Sequence, residues 1–312
     1  MAKIATREAY GKALAEFGAD PKIVVLDADL SKSTKTDTFL QVYPDRFFNI
    51  GIAEANMMSI AAGMATCGKT VFASTFAVFA SMRACEQIRN SICYPKLNVK
   101  IGATHAGISV GEDGASHQTV EDMAIMRSLP NMTVICPCDG LETRAAVKVA
   151  IEVDGPVYLR LGRLSLPEVH KAEQFQFELG KGIQLKDGGD VTIMATGLMV
   201  YKALEAAEML KTQDIHARVI DIHTVKPIDK EIIIKAAEET GAIVTAEEHN
   251  IVGGLTGAVA EVLVQYRPAP LKAVAINDTF GKSGKPDELF AEYGLTPENI
   301  VRQVMNVLKM KK

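Results

Sequence analysis

The sequence predicts an α/β protein with two doubly wound domains, each built on a mostly parallel sheet. Short β-rich segments alternate with helical segments of ten or more residues from Ile4 to Arg160, and the alternation resumes after a polar break. The 312 residues are also enough for two hydrophobic cores, at about 150 residues per domain. We expect a first domain over residues 1–165, a linker over 166–188 and a second domain over 189–312.

The elements of the first domain follow from their residue types. The predicted strands are KIVVLDA (22–28), TVFAST (70–75), LNVKIGA (97–103), MTVICP (132–137) and PVYLRL (156–161). The predicted helices are REAYGKALAEF, EANMMSIAAGMA, residues 78–93, VEDMAIMRSL and LETRAAVKVAIEV. Strands separated by such long helices pair in parallel, and a parallel sheet is covered on both faces. Thr119 with Asp122, and Asp139 with Glu142, have the pattern of helix N-caps.

The second domain begins after a polar stretch that contains Pro167 and the turn sequence DGGD. Its predicted strands are VTIMAT, HARVIDI, AIVTAEE and KAVAIN, and its predicted helices cover residues 199–210, 229–239 and 255–265. The sequence T-P-E at 296–298 predicts a last helix with Thr296 as N-cap and Pro297 in the first helical position.

Composition and charge exclude several classes of protein. The chain is 48% hydrophobic and 23% charged, as is typical of a globular protein, and its net charge of −4 comes with no basic stripe for nucleic acid. No apolar run approaches the roughly 18 residues of a membrane span, and the charged N-terminus favours a cytoplasmic protein.

The five cysteines do not have the spacing of a disulfide framework. Cys67, Cys85 and Cys93 lie in apolar segments, so we expect them to be reduced core residues. Cys136 and Cys138 form a C-P-C pair, but no second pair lies at zinc-site spacing, and we do not expect a metal there.

Polar residues concentrate in three segments that follow strands: DADLSKSTKT (27–36), STFAVF (74–79) and ATHAGISVGEDGASHQ (103–118). Ligands of open α/β sheets bind at the carboxyl ends of the strands. His105, Asp113 and His117 have no familiar zinc-ligand spacing, and a serine hydrolase is not expected. Histidines that cap a turn are the structural alternative. We favour a loop that binds an oxygen-rich ligand.

These residues together resemble the pyrimidine-binding half of transketolase. The resemblance rests on IATRE (4–8), DADL (27–30), Glu54, S-T-F-x-x-F (74–79) and the H-x7-D-x3-H pattern of THAGISVGEDGASHQ. The stretch GEDGASHQTVEDMAIMRSLPNMTVICPCDGLET is especially similar to that family. The second domain resembles the family's C-terminal domain, so the similarity spans the whole chain.

The resemblance implies thiamine diphosphate as cofactor. In that family a buried glutamate bonds N1′ of the aminopyrimidine ring and favours the imino form that removes the thiazolium C2 proton, and Glu54 matches it. The apolar residues around Glu54, namely Ile52, Ala53, Met57 and Met58, would keep out competing water. A favourable helix macrodipole alone explains the position of Glu54 but not its apolar neighbours. Phe76 and Phe79 match the aromatic pocket of the ring, Met82 stands where a further aromatic is usual, and Asp29 matches an aspartate beside the ring.

The resemblance also implies a site for a sugar phosphate. Arg7, Ser33 and Arg160 match residues that bind the phosphate, with Arg163 as a competing candidate. His105, Asp113 and His117 match residues that bond the sugar hydroxyls and assist proton transfers. Arginine suits phosphate because its guanidinium donates several parallel hydrogen bonds.

The motif that binds the diphosphate is missing. Thiamine enzymes hold this group through a divalent ion bound by G-D-G and a later Asn, and the sequence contains no G-D-G. We therefore expect one subunit of a split transketolase, with Mg2+ on an N-terminal partner subunit and none on this chain. The expected assembly is a heterotetramer of two such chains and two partners, with a homodimeric core, acting on sugar phosphates.

Three alternatives stay open at this stage. The β subunit of a 2-oxo acid dehydrogenase has a similar length but lacks the GEDGxxHQ loop. A deoxyxylulose phosphate synthase shares the loop but differs in the surrounding residues. A non-catalytic α/β scaffold would have no need for Glu54, the aromatic pair, the two histidines and the arginines.

Overall fold

The computed structural model describes residues 3–173 and 175–311, which form two α/β units, each with its own sheet. The strands are β1 Lys3–Ala5, β2 Ile23–Asp27, β3 Phe47–Asn49, β4 Thr70–Phe76, β5 Val99–Thr104, β6 Thr133–Ile135, β7 Val157–Arg160, β8 Ser165–Pro167, β9 Ile183–Lys186, β10 Val191–Ala195, β11 Ala217–Asp221, β12 Thr224–Lys226, β13 Ile243–Asn250 and β14 Leu271–Ile276. The helices are α1 Thr6–Phe17, α2 Ser31–Thr34, α3 Asp37–Val42, α4 Glu54–Thr66, α5 Cys85–Gln87, α6 Asp122–Ser128, α7 Gly140–Glu152, α8 Met199–Lys211, α9 Lys230–Thr240, α10 Leu255–Tyr266, α11 Pro286–Tyr293 and α12 Pro297–Leu308. Shorter 3-10 or π-helical segments cover Pro44–Arg46, Phe79–Arg83, Ile88–Cys93 and Ile108–Asp113.

The first sheet has the order β12-β6-β7-β5-β4-β2-β3, and all its neighbours are parallel except β12 and β6. Helices cover both faces. In β2, Val24 and Leu26 pack in the cluster that contains Met57 of α4, while Val25 packs with Leu14 of α1 on the other face. This burial on both sides explains why the strand is apolar without alternation. The predicted doubly wound fold is confirmed.

The second sheet has the order β14-β13-β10-β11-β9, with only β9 antiparallel to its neighbour among the described strands. One core cluster joins it to α8 and α12, and another joins it to α9 and α10. The strands and helices predicted for this half are present, with shifted ends. Asp139 and Thr296 cap α7 and α12 as predicted, whereas α6 begins at Asp122 without a side-chain cap from Thr119.

The segment predicted as a linker contributes to two sheets. β8 pairs with β1 at its start, and β9 pairs with β11 near its end. Strand β12, from the second half of the chain, pairs with β6 and completes the edge of the first sheet. Short strands of three or four residues carry too little periodicity to be found from sequence.

Two expectations from composition are tested directly. The five cysteines are free, but of the three expected in the core only Cys93 is buried. Cys85 is half-buried, and Cys67 is exposed because it follows the end of α4. Within residues 3–173 and 175–311, no helix has both the length and the apolar content to cross a bilayer.

A buried carboxylate of the second domain supports the histidine-bearing loop of the first. Glu248, in β13, accepts a hydrogen bond from the Ser109 amide at 2.6 Å. A Cβ added to Gly107 would lie 2.2 Å from the Glu248 carboxyl carbon, and Gly107 has a φ of +83°. Only glycine fits this conformation without strain. The close approach of the two domains therefore depends on Gly107.

Replacing Gly107 by Ala is expected to destabilise the chain by about 2–5 kcal/mol, because it adds backbone strain and a clash with Glu248. Urea denaturation followed by circular dichroism measures the loss. Gly63→Ala is the matched control, since Gly63 lies in α4 with open space around it and alanine should stabilise that helix by about 0.5–1 kcal/mol. Equal stabilities for the two variants would contradict the proposed packing.

Candidate active site

Three neighbouring strands of the first sheet end at the same edge and carry most of the candidate residues. β2 pairs with β4, and β4 pairs with β5, all in parallel. Asp29 follows β2, Phe76 is the last residue of β4, and His105 follows β5. The sheet topology thus collects residues that are far apart in sequence.

The loop after β2 is held by the buried carboxylate of Asp27. Its Oδ1 accepts from the Leu30 amide at 2.6 Å, and its Oδ2 accepts from the hydroxyls of Thr34 at 2.7 Å and Thr36 at 2.8 Å. These bonds shape the DADLSKSTKT segment. Asp29 lies exposed on this loop with a φ of +65°. Its carboxylate accepts a hydrogen bond from the side-chain amide of Asn49 at 2.7 Å.

Four rings form a compact cluster at the ends of β4 and β5. Phe76 stacks on Phe79 with a centroid distance of 5.8 Å and on His105 at 3.8 Å. His117 meets Phe79 edge-on at 5.5 Å. Phe76 and Phe79, predicted to form one aromatic pocket, thus lie together, and the two predicted histidines lie against the same rings.

His105 is a neutral, buried imidazole beside Arg7. The Arg7 guanidinium donates to His105 Nε2 at 3.1 Å, so Nε2 carries the lone pair and Nδ1–H donates to the Thr104 hydroxyl at 2.9 Å. Burial, together with the charges of Arg7, Arg163 and His117, lowers the pKa of His105 to about 3. In this arrangement His105 accepts a hydrogen bond and does not act as an acid.

Arg7 is the centre of a positively charged corner. Its Nη1 also donates to the Ser33 carbonyl at 2.9 Å, and its buried Nε has no hydrogen-bond partner in the described part of the chain. Arg163 lies close enough for its charge to act on both Arg7 and His105. Arg163 donates to the Val110 carbonyl and lies 3.6 Å from Asp113. An unpaired guanidinium donor next to a second arginine suits an anionic ligand.

Glu54 is the first residue of α4 and its side chain is only 5% exposed. Met57 and Met58 beside it are fully buried, whereas Ile52, expected from sequence to shield it, is exposed. Arg83 lies 3.4 Å from the carboxylate and places its guanidinium 4.1 Å from the centre of the Phe79 ring. Met82, the predicted third pocket residue, is 44% exposed. Arg83 thus connects Glu54 to the aromatic cluster.

Arg160 does not belong to this cluster. It is 5% exposed, its Nε donates to Asp122 at 2.9 Å, and its Nη2 donates to the Glu248 carbonyl at 2.9 Å. Its charge is therefore neutralised inside the protein, at the contact between the two domains. Arg163, the competing candidate, lies at the positively charged corner instead.

The residues GISVG at 107–111 do have the G-x-S-x-G spacing of a serine nucleophile, although a serine hydrolase was not expected. Ser109 is fully buried, and its hydroxyl makes no hydrogen bond to any of the described residues. Gly107 allows the close contact with Glu248, and Gly111 lies beside Pro286, so both glycines serve the packing of this loop and not the exposure of a nucleophile.

Comparison with known protein families identifies the family to which this chain belongs. The model of the transketolase pyrimidine-binding domain matches residues 2–169, and that of the transketolase C-terminal domain matches residues 180–300. The chain belongs to the transketolase family. This family depends on thiamine diphosphate, and the first of its matched domains is named for the pyrimidine ring of that cofactor.

Three proteins illustrate what this transketolase-family chain is similar to. A putative transketolase C-terminal section from Methanocaldococcus jannaschii is 52% identical over 306 residues, which are 97% of this chain and 96% of the relative. The 6-deoxy-6-sulfo-D-fructose transketolase subunit of a Clostridium species is 44% identical, with 98% and 95% of the two chains covered. A split-gene transketolase, described as an inactive β4 tetramer, is 59% identical with a TM-score of 0.93, covering 99% of this chain and 100% of its own.

The residues present fit the pyrimidine end of thiamine diphosphate. A buried carboxylate and stacked aromatic rings lie within one cluster, and the only ion pair that Glu54 makes among the described residues is with the half-exposed Arg83. Sequence reasoning missed Arg83 and Glu248. Arg83 follows Met82, four residues after Phe79, and a charged residue in this apolar segment was a signal that could have been used. Glu248 lies far away in the other domain.

We predict that His105 stays neutral from pH 8 down to below pH 5. The pKa of His105 is about 3 in the folded chain, whereas an ordinary histidine has a pKa of 6.5. Between pH 3 and pH 6.5 the unfolded chain therefore binds a proton at His105 and the folded chain does not. The contribution of His105 to stability is therefore complete above pH 6.5 and declines as the pH falls towards 3. Ring signals of isotope-labelled histidine in NMR spectra, assigned with His105→Asn, measure this. A midpoint between pH 6 and 7 would contradict the assignment.

Proposed function

We propose that this chain is the C-terminal subunit of a split transketolase, which transfers a two-carbon ketol unit from a ketose phosphate to an aldose phosphate. The observation that carries the proposal is the arrangement of Glu54, the Phe76–Phe79 stack and the Arg7–His105 pair along one sheet edge. A buried acid with aromatic rings suits the pyrimidine, and the positively charged corner suits the substrate's anionic group.

Glu54 would hold N1′ of the cofactor, and Phe76, Phe79 and Asp29 would orient the ring. When bound, thiamine diphosphate supplies the nucleophilic thiazolium carbon for the transfer. Arg83 now covers both Glu54 and the face of Phe79, so it has to move when the ring enters. Its side chain is 55% exposed, so it can turn into solvent when the ring enters. N1′ would then replace the guanidinium as the partner of the buried carboxylate.

The anionic group of the sugar would bind at Arg7, Ser33 and Arg163. The free Nε of Arg7 supports this assignment, as does the proximity of Arg163, whereas Arg160 is committed to Asp122. Asp113 and His117 would bond the hydroxyls. Since His105 Nε2 already accepts from Arg7, we assign proton transfer to His117, whose Nδ1 lies 3.0 Å from the Ser116 hydroxyl.

A second subunit would supply the diphosphate and Mg2+ site. The sequence lacks G-D-G, and the similar split-gene protein is described as inactive in its β4 form. We propose a heterotetramer with a homodimeric core of this chain, in the cytoplasm, without nucleic-acid or membrane partners.

The sugar itself is left open by the relatives. A sulfonated fructose is named for one of them, and sulfonate is an anion that the same arginines would bind. The paired histidines favour ketol transfer over the 2-oxo acid dehydrogenase alternative. The enzyme reconstituted from both subunits also has to be tested for deoxyxylulose phosphate synthesis, the other thiamine-dependent reaction considered.

Replacing Glu54 by Gln in the reconstituted complex is expected to lower kcat by at least about 100-fold, because the amide cannot hold N1′ as the carboxylate does. A coupled assay of ketol transfer measures this. Glu152→Gln, at the exposed end of α7, is the control and should keep full activity.

Folding and assembly of the Glu54 variant are checked by circular dichroism and size-exclusion chromatography. An assembled Glu54→Gln complex with normal turnover would refute the role of Glu54. A wild-type complex that carries out only acyl transfer or deoxyxylulose phosphate synthesis would refute the proposed reaction instead.

Arg163→Ala is expected to raise KM for the phosphorylated ketose by about 10- to 100-fold, because the substrate loses one charge-assisted hydrogen bond. KM for the same ketose without phosphate should hardly change, because it lacks the anion. Arg144→Ala removes an exposed arginine that pairs with Glu16 and should leave both constants unchanged. If Arg163→Ala affected both ketoses equally, the assignment would be wrong.

A further inference from the structure

Four buried side chains from three parts of the chain meet outside the candidate active site. Cys138 precedes α7, Glu142 lies in its first turn, His170 lies between β8 and β9, and Asp221 ends β11. One ligand atom from each lies within 4.8 Å of the others. All four are at most 8% exposed, and Asp221 and Glu142 are fully buried. Such polar groups are costly to bury together without a partner.

The distances agree with a tetrahedral zinc site. Zinc bonds of about 2.3 Å to sulfur and about 2.0–2.1 Å to nitrogen and oxygen place the ligand atoms about 3.3–3.6 Å apart. Cys138 Sγ lies 3.6 Å from His170 Nε2 and 3.4 Å from Asp221 Oδ2. His170 Nε2 lies 3.2 Å from Asp221 Oδ2 and 3.5 Å from Glu142 Oε1.

The oxygen of Glu142 that faces this cluster makes no hydrogen bond. Its Oε2 accepts from the Cys138 amide at 2.7 Å, which fixes the carboxylate, while the buried Oε1 lies 3.5 Å from His170 Nε2 and has no hydrogen-bond partner within residues 3–173 and 175–311. A buried carboxylate oxygen without a hydrogen bond is a ligand position for a cation.

The backbone around the cluster is held by Asp139. Its Oδ1 accepts from the Glu142 amide at 2.8 Å, and its Oδ2 accepts from the amides of Val169 and His170, each at 2.9 Å. One side chain thus fixes two of the three ligand-bearing segments. Outer contacts of this kind orient the ligands of protein metal sites.

Without a cation, the thiol, the imidazole and the two carboxyl groups would have to share protons, because several anions cannot be buried side by side without compensation. A divalent cation would replace these protons and stabilise the thiolate and carboxylates.

We propose that Cys138, Glu142, His170 and Asp221 bind one structural Zn2+ that ties the first domain, the connecting segment and the second domain together. Four protein ligands leave no open position, as expected for a structural and not a catalytic zinc. His170 also lines a surface cleft with Val169, Lys171 and Phe175, which gives the ion a path from solvent. Cys136, the other cysteine of the C-P-C pair, takes no part in this cluster.

The test is the metal content of the full chain, purified from zinc-supplemented medium and measured by mass spectrometry. We expect about one zinc per wild-type chain and at least a tenfold loss in Cys138→Ser. Cys136→Ser is the matched control, a buried cysteine two residues away, and should keep the metal. Less than about a tenth of a zinc per wild-type chain after incubation with Zn2+ would overturn the proposal, as would full retention by Cys138→Ser.

Cobalt substitution of the wild type gives a result that does not depend on the folding of a variant. Co2+ added to the chelator-treated chain should produce the visible bands of four-coordinate cobalt and a sulfur-to-metal charge-transfer band. Weak bands of six-coordinate cobalt without charge transfer would overturn the site, because they exclude a cysteine ligand.

Discussion

The hydrogen bond between Glu248 and the Ser109 amide is the contact on which the candidate site depends most. The segment from Thr104 to Gln118 is rich in glycine and small residues and has little core of its own to pack against. Glu248 holds its start, and Gln118 holds its end by donating to the Lys282 carbonyl at 3.0 Å. The second domain, whose role was obscure from sequence, therefore acts as the support of the loop that carries both histidines.

Two different environments meet on this loop. The stacked rings of Phe76 and Phe79 give one end an apolar surface, and Arg7 with Arg163 gives the other a positive one. His105 lies between them, with its ring on Phe76 and its Nε2 on Arg7. A neutral imidazole can make both contacts, and burial together with the charges of the two arginines keeps it neutral by lowering its pKa. The proposed pair of ligands, a cofactor with a flat ring and a separate anionic sugar, matches this division.

The fold and the residues that follow the strands could be predicted from the sequence, because the pattern of buried apolar residues determines where strands and helices lie. It could not distinguish Arg160 from Arg163. Arg160 is the last residue of a buried strand and turns inward to Asp122, whereas Arg163 lies beyond the strand end, and that difference depends on where β7 stops. The Cys138 cluster was beyond sequence reasoning for another reason. Its four members are separated by up to 83 positions and come together only when the two domains dock.

Strand β12 makes the sheet of the first domain depend on the second half of the chain. Thr224–Lys226 belongs to the second half of the sequence but completes the sheet of the first. Without it, the backbone of β6 would present unpaired amides and carbonyls at an open edge, which is a site for association with other chains. A gene division between the two domains would therefore create an aggregation-prone fragment, and this boundary is a poor place for evolution or protein engineering to cut the chain.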